Sequence, residues 1–248
     1  MFSKRFLITV LFFSFVSYTN CSHFLGGTIN WRIQNSSTTS TSVSILITQT
    51  YSWVYTPGKC ENGTIASNQP VPSASGVLTC TPSCPAGFGT VDATPGCTDV
   101  SPLNGIAVGQ RSDIVTIPDG SDFSIVYASN AWGGLTLGAG AWSITSRIEL
   151  QRRSDNGMFN NAPIATIMSP INIQVNAATA ITVPVSDPDG DIVRCRWATA
   201  ANGVDECGTV CPPGALPAGT VVYQNCTVVI TGTAVGNRYA VALMVSIL

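Results

Sequence analysis

Apolar and polar side chains alternate every second residue along most of this chain, which is the pattern of half-buried β-strands, and no stretch shows the 3.6-residue period of an amphipathic helix. In residues 42–55 every odd position is apolar except Gln49. Shorter alternating runs are centred on Trp31, Ile125, Ile173, Val183, Cys195, Val228 and Leu243. Short strands separated by Gly, Pro, Asn and Asp are typical of antiparallel sandwiches, so we predict an all-β fold with two immunoglobulin-like β-sandwich domains.

A polar, turn-rich segment over residues 152–163, ending in Pro163, divides the chain into two parts. We interpret this segment as a linker. It joins an N-terminal sandwich-like domain over residues 22–151, which includes a Cys-rich loop region, to a C-terminal immunoglobulin-like or cadherin-like sandwich over residues 164–248.

The chain begins with a basic and then apolar segment. Lys4 and Arg5 precede the apolar run of residues 6–16, which matches the core of a secretory signal peptide and is too short to span a bilayer. We therefore predict that residues 1–21 are a signal peptide, that the mature chain is secreted, and that it has no transmembrane segment. The fate of Cys21 depends on which bond is cut.

Charge is sparse and slightly acidic. Only 10% of residues are charged, and the formal net charge is −2. Removal of Lys4 and Arg5 from a total of 11 basic residues leaves nine, against 13 acidic residues. Because nucleic acid is bound through a basic surface, this balance argues against nucleic acid as a partner. We expect an extracellular protein or a glycan instead.

Eight cysteines fall into two groups of four, one in each predicted domain, and each group contains a Cys-x-x-x-Cys pair followed by Pro-x-Gly. An even number of cysteines behind a secretory leader predicts disulfides, whereas structural zinc sites favour Cys-x-x-Cys spacing in the reducing cell. The predicted disulfide cysteines are Cys60, Cys80, Cys84, Cys97, Cys195, Cys207, Cys211 and Cys226.

Strand alternation gives a partial indication of how the second group pairs. Cys195 and Cys226 fall on inward faces, where they can meet, and this pairing leaves Cys207 and Cys211 to close a small loop. Four cysteines allow three pairings, so the alternatives stay open.

Three Asn-x-Ser/Thr triplets are candidate N-glycosylation sites in a secreted chain. They begin at Asn35, Asn62 and Asn225. Each lies where a glycan can reach solvent, so we predict a glycoprotein.

Three carboxylates alternate in residues 187–191 (DPDGD). Oxygen ligands at alternate positions around a glycine turn suit calcium, so Asp187, Asp189 and Asp191 are candidate calcium ligands. The alternative is a tight acidic turn whose carboxylates face water. No other cofactor is indicated.

Groups suited to catalysis are few. His23 is the only histidine, so a Ser-His-Asp or Cys-His arrangement depends on one residue at the start of the mature chain. Two acid pairs, Asp119 with Asp122 and Asp205 with Glu206, lie in turn-like stretches where carboxylates usually face water. We therefore expect no enzymatic activity.

Two sets of motifs carry a resemblance to known extracellular proteins. Residues 160–163 (NNAP) followed by residues 187–191 resemble the opening and first turn of immunoglobulin-like and cadherin-like modules. Residues 23–31 (HFLGGTINW), 51–53 (YSW) and 189–197 (DGDIVRCRW) resemble a group of uncharacterised secreted or membrane-tethered animal proteins. The resemblance implies a location and a fold, but it does not indicate what activity the protein has.

Together these features predict a secreted binding or adhesion module without catalytic activity, in which calcium is a candidate stiffening ion. The alternatives are an extracellular hydrolase that acts on glycans through acidic residues and a purely structural component of a matrix or coat. Trp132, beside two glycines, is the one aromatic residue that we single out as a candidate partner contact, and the alternative is burial in the core.

Overall fold

The computed structural model describes residues 23–35, 41–56, 60–72, 74–138, 140–166, 170–201 and 203–247. The predicted signal peptide and Cys21 lie outside these residues. The regular secondary structure of the described chain is almost entirely antiparallel strand, with one short α-helix, α1 (Asn62–Ala66), and one 3-10 turn over Gly208–Val210. The predicted all-β class is confirmed. No helix within the described ranges has the length and apolarity needed to cross a membrane.

The N-terminal half, residues 23–150, contains two antiparallel sheets. The first sheet has the order β1-β2-β5-β4, formed by β1 (Phe24–Asn35), β2 (Ser42–Val54), β4 (Gly96–Ser101) and β5 (Ile106–Pro118). The second sheet has the order β3-β6-β7, formed by β3 (Thr79–Thr81), β6 (Asp122–Asn130) and β7 (Ala141–Glu149). Both sheets contribute to a single buried core.

Strand β2 follows the predicted alternation along its whole length, with every odd position buried. The polar exception, Gln49, is fully buried and is satisfied there: its Nε2 donates to the Asp92 carbonyl at 3.0 Å, and its Oε1 accepts from the Tyr51 hydroxyl at 2.8 Å. Because a buried polar group costs free energy only when it is unpaired, the interruption does not weaken this strand.

Strand β5 is as long as β2 and pairs with it from end to end, but its sequence does not reveal it. Its inward positions include Gly109, Arg111 and Asp113, which break the apolar alternation. Arg111 donates to Asp113 at 2.7 Å and to Asp92 at 3.1 Å, so the polar inward residues satisfy one another. The chain therefore forms a strand here through pairing with β2 and not through an apolar pattern.

The C-terminal half, residues 164–247, consists of three small antiparallel sheets. One pairs β10 (Val185–Ser186) with β8 (Ile164–Ala165), and one pairs β11 (Val193–Trp197) with β14 (Leu243–Ile247). The third has the order β12-β13-β9, from β12 (Val221–Val222), β13 (Thr227–Thr231) and β9 (Ala178–Thr182).

The prediction of a strand around Ile173 is wrong. Only an isolated bridge between Val175 and Gly232 forms there. Ile171 is exposed, so the alternating residues have no sheet against which to bury one face.

Four disulfides hold the described chain: Cys60–Cys97, Cys80–Cys84, Cys195–Cys226 and Cys207–Cys211. In the C-terminal half this is the pairing that strand alternation indicates. Cys195–Cys226 closes a separation of 31 residues, which stabilises by about 3 to 4 kcal/mol in the chain-entropy account. This half has only small buried clusters, so the disulfide supplies stabilisation that the small core does not.

The two halves pack closely against each other at the outer face of β7. Ser143 Oγ donates to the Asp205 carbonyl at 2.6 Å, and Thr209 Oγ1 donates to the Ala141 carbonyl at 3.0 Å. Gly208 lies at the same place with a φ of 63°, and a Cβ atom there would lie 2.7 Å from the Ala141 carbonyl oxygen. The interface therefore has room only for a glycine.

Trp132 connects the cores of the two halves. Its ring lies 5.2 Å from that of Phe24 in the N-terminal core, and it also packs against a cluster of Val210, Ala215 and Ala240. The indole is therefore half-buried between the two cores, which agrees with the burial alternative.

We predict that Trp132→Ala lowers the free energy of unfolding by about 3 kcal/mol, because it leaves a cavity between the two cores. Urea unfolding of the disulfide-intact protein measures this. Leu103→Ala is the control, since Leu103 is 96% exposed and its loss should change little. A change below about 0.5 kcal/mol for Trp132→Ala, the range of surface substitutions, would contradict the packing role.

Two tyrosines lie inside the N-terminal core with ring centroids 5.0 Å apart. Burial raises the pKa of Tyr127 to about 12, and the nearby charge of Asp92 adds to the shift. Burial, followed by the charge of Tyr127, also raises the pKa of Tyr51 well above its ordinary value. Both phenols therefore favour their neutral form in the folded protein.

A raised pKa in the folded state predicts alkaline loss of stability. The contribution of Tyr127 is fully present below its unfolded pKa of about 10 and is lost as pH rises toward 12, by up to about 2 kcal/mol. We expect Tyr127→Phe to reduce the decline in unfolding free energy between about pH 9 and about pH 11.5. Tyr223→Phe, at an exposed position, should leave the decline unchanged, and an equal decline in all three proteins would refute the assignment.

Candidate functional site

The segment that joins the halves, residues 152–163, is structured and not a loose connection. The Arg152 guanidinium lies 4.2 Å from the centroid of the Phe159 ring, and the Arg153 N–H donates to the Met158 carbonyl at 2.8 Å. Phe159 is buried in the N-terminal core. We call this segment the junction, and it packs as part of the N-terminal half.

Arg153 connects the junction to the DPDGD turn. Its guanidinium donates to both carboxylate oxygens of Asp191, to Asp155 at 3.1 Å and to Asn160 Oδ1 at 3.0 Å. The side chains of Arg153 and Asp191 are only 25% and 14% exposed. The hydrogen bonds that Arg153 donates, first to Asp155 and second to Asp191, raise the pKa of Arg153. One cation thus holds two acids from different parts of the chain.

Asn161 forms a second connection. Its Oδ1 accepts from the Ile33 N–H at 2.7 Å, while its Nδ2 donates to Asp189 Oδ1 at 2.9 Å. The backbone N–H of Asn161 donates to Asp189 Oδ2 at 2.6 Å. A single amide side chain therefore joins strand β1 of the N-terminal half to the DPDGD turn of the C-terminal half.

Asp187 acts inside its own turn. Its Oδ1 accepts from the backbone N–H groups of Asp189 at 2.9 Å and Asp191 at 3.2 Å. This is the Asx-type turn closure that Pro188 and Gly190 favour. Its Oδ2 is buried without a hydrogen-bond partner among the described residues.

The three carboxylates proposed as calcium ligands thus point to three different partners. Asp187 bonds the turn backbone, Asp189 bonds Asn161, and Asp191 bonds Arg153. Among the His, Cys, Asp and Glu side chains of the described residues, only Asp205, Cys207 and Cys211 bring three ligand atoms within 4.8 Å of one another. Those two cysteines share a disulfide, so their sulfurs are not thiolate ligands. The calcium site remains a prediction, and this geometry assigns the acids to protein partners.

The acids considered for hydrolysis also have partners. Asp122 accepts from Arg147 at 2.8 Å and 2.9 Å, and this hydrogen bond lowers the pKa of Asp122. A general acid requires the opposite shift. Glu206 forms a bidentate pair with Arg196 at 2.7 Å and 2.8 Å.

The remaining candidate groups have structural contacts as well. Asp205 Oδ1 accepts from the N–H groups of Cys207 and Gly208, and Asp119 lies 3.5 Å from Arg152. His23 is half-buried at the start of β1, where its carbonyl accepts from the Val54 N–H at 2.7 Å.

A shallow cleft with a volume of about 240 Å³ opens beside the junction. It is lined by Ile33, Arg153, Asn156, Met158, Phe159, Asn161 and Asp189. Of its polar residues, Arg153, Asn161 and Asp189 connect the two halves, and Asn156 accepts a hydrogen bond from Met158 within the junction. The cleft is therefore the surface opening of the junction.

The outer face of the first sheet is the surface feature that sequence reasoning missed. Two cross-strand rows follow from the register: Asn30–Thr48–Ser112 and Thr28–Thr50–Gln110. We call these six residues the hydroxyl face. Every one is uncharged and polar, and Thr48 and Ser112 hydroxyls lie 3.1 Å apart.

The neighbouring rows extend this surface along the sheet. One row is Arg32–Leu46–Ile114, and Ile114 is 62% exposed. On the far side of it, the Ser44 and Thr116 hydroxyls lie 2.8 Å apart. The sequence does indicate this uncharged surface in the even positions of β2, which are Ser, Thr, Leu or Val and include no charged residue.

The candidate glycosylation residues Asn35, Asn62 and Asn225 are all exposed. Asn62 begins helix α1, and Asn225 Oδ1 accepts from the Thr227 N–H at 3.2 Å in its own triplet. Their exposure meets the steric requirement for modification, and glycosylation itself stays a prediction.

Comparisons with known proteins do not assign the chain to a family: no protein-family model matches it, and neither the curated proteins nor the solved structures contain a significant match. The class defined by fold and covalent structure is therefore an all-β protein held by four disulfides.

We expect millimolar calcium to leave the thermal midpoint of the protein unchanged relative to chelator, because protein donors already occupy Asp189 and Asp191. Arg153→Gln should lower the midpoint and make it rise with calcium, since two acids lose their cation. Arg32→Gln, at an exposed position, is the control. A rise in the unmodified protein that disappears in an Asp189→Asn, Asp191→Asn variant would instead establish the calcium site.

Proposed function

We propose that this chain is a secreted extracellular binding or adhesion module, built from two immunoglobulin-like β-sandwich domains that are fixed to each other. The observation that carries this proposal is the joining of the two halves. An apolar contact at Trp132, the polar junction at Arg153 and Asn161, and close packing at Gly208 act at separate places. Such a body presents its surfaces in constant relative positions, which lowers the entropy cost of binding.

The four disulfides support an extracellular location, because such bonds persist in oxidising compartments. The sparse charge supports a protein or glycan partner over nucleic acid. Hydrolysis is the less favoured alternative, because the acids that it requires are paired with arginines or with backbone N–H groups.

Expression with the chain's own leader in a eukaryotic secretory cell tests the proposal. We expect disulfide-bonded protein in the medium, and we expect a multivalent, fluorescently labelled form to bind intact cells or extracellular matrix. The double variant Cys195→Ser, Cys226→Ser should lose this binding through unfolding of the C-terminal half. Retention inside the cell, or an absence of binding to every cell and matrix tested, would overturn the proposal.

A matched measurement separates the alternatives. Turnover of a glycan panel that Asp119→Asn or Asp205→Asn abolishes would favour a hydrolase. Self-assembly into large particles without surface binding would favour a structural component.

A further inference from the structure

We infer that the Cys80–Cys84 disulfide is a site of thiol–disulfide exchange, at which an external thiol becomes covalently attached to Cys84. Such a covalent step goes beyond the proposed binding function and does not depend on it. The chain carries its own comparison, because Cys207–Cys211 closes the same Cys-x-x-x-Cys-Pro-x-Gly motif with the same separation of 4 residues. The two disulfides differ in their surroundings.

Exposure distinguishes Cys80–Cys84 from the other three disulfides of the described chain. Cys84 is exposed, and Cys80 is half-buried in strand β3. The remaining cysteines are buried, except for the half-buried Cys211; the buried ones are Cys60, Cys97, Cys195, Cys207 and Cys226. Exchange begins when a thiolate reaches a disulfide sulfur, so access decides which disulfide reacts.

The loop over residues 207–211 is held against strand β7 and is therefore protected. Its Gly208 N–H donates to Asp205 Oδ1 at 2.7 Å, and its Thr209 hydroxyl donates to the Ala141 carbonyl at 3.0 Å. Opening this disulfide would require the loop to move away from the interface between the two halves. The same motif is thus built into an interface in the C-terminal half.

The loop over residues 81–87 lies at the surface, and its two ends are held by the core without help from the disulfide. Leu78 before it and Phe88 after it are both buried, and the Phe88 ring lies 5.5 Å from that of Phe123. A disulfide that closes so short a loop also removes little chain entropy from the unfolded state. Opening of Cys80–Cys84 should therefore be a local event that leaves the fold intact.

The exchange step follows from this geometry. The external thiolate attacks Cys84 Sγ and forms a new S–S bond, while the Cys80–Cys84 bond breaks and its electron pair leaves on Cys80 Sγ, which takes a proton from water. Cys84 is the sulfur attacked because it is exposed, whereas Cys80 packs against the core. One disulfide is consumed and one is formed, so no further oxidant or reductant is needed. Cys80 can reverse the step by expelling the thiol.

The test exposes the folded, disulfide-intact protein to 2-mercaptoethanol, a small neutral thiol, and then blocks free thiols and maps them by mass spectrometry. At the earliest times we expect a mercaptoethanol adduct on Cys84 and a free thiol on Cys80. This reaction should be about tenfold or more faster than opening of Cys207–Cys211, the matched control within the same molecule. In denaturant the two rates should become similar, because the difference arises from packing.

The double variant Cys80→Ser, Cys84→Ser tests whether the exchange is local. We expect it to fold, to keep a thermal midpoint within a few degrees of the unmodified protein, and to lose the fast adduct. Failure of this variant to fold would make the disulfide a structural bond and would overturn the inference. Equally fast opening of Cys207–Cys211 in the folded protein, or a first adduct on any cysteine other than Cys84, would overturn it as well.

A second arm distinguishes a small thiol from a protein thiol as the source. Reduced thioredoxin that lacks its resolving cysteine is added in place of 2-mercaptoethanol, so that any mixed disulfide is trapped. A trapped complex through Cys84 that forms faster than the mercaptoethanol adduct at equal thiol concentration would assign the site to protein thiols. A slower or absent complex, with the mercaptoethanol adduct still formed on Cys84, would assign it to small thiols.

Discussion

The burial of one face of β2 is the constraint on which the other features of the N-terminal half depend. This strand pairs with β1 on one side and with β5 on the other, so its register sets the register of both neighbours. A slip by one residue would bring Thr48 and Thr50 into the core and expose Ile47 and Tyr51. Gln49 adds a specific bond to this choice, since only the native register brings its amide to the Asp92 carbonyl.

The connection between the halves distributes its stabilisation over contacts of different kinds. An ion pair such as Arg153 with Asp191 contributes modestly when it is partly exposed, and its value lies mainly in defined geometry. The apolar packing around Trp132 supplies the free energy that polar contacts do not. Together they make the DPDGD turn a fixed part of the surface, in which Arg153 pairs with Asp191, one of the three candidate calcium ligands.

The parts of the fold that could be predicted from sequence are those in which local patterning and tertiary burial agree. Strand β2 and the inward pairing of Cys195 with Cys226 belong to this group, because alternation determines which residues share a face. Strand β5 could not be predicted, because inward polar residues are satisfied by Asp92, 19 residues before Arg111 in sequence. Sequence gives no sign of such a partner.

The candidate site shows the same limit. The spacing of Asp187, Asp189 and Asp191 indicates a turn, and the turn is present, but spacing does not specify which partner each carboxylate meets. Arg153 and Asn161 meet these acids only because the junction packs across the N-terminal half. Conversely, the hydroxyl face is a simple consequence of the even positions of β2, which become informative only when β1 and β5 are placed beside it.

The contact at Gly208 limits which substitutions the interface between the two halves can accept. Substitution of most surface residues leaves the angle between the halves as it is, whereas even an added methyl group at this position would collide with the backbone of β7. To relieve this collision, the backbones of the two halves would have to separate at β7, which would change how their surfaces lie relative to each other. The close approach of the two halves at β7 therefore depends on the hydrogen that serves as the side chain of Gly208.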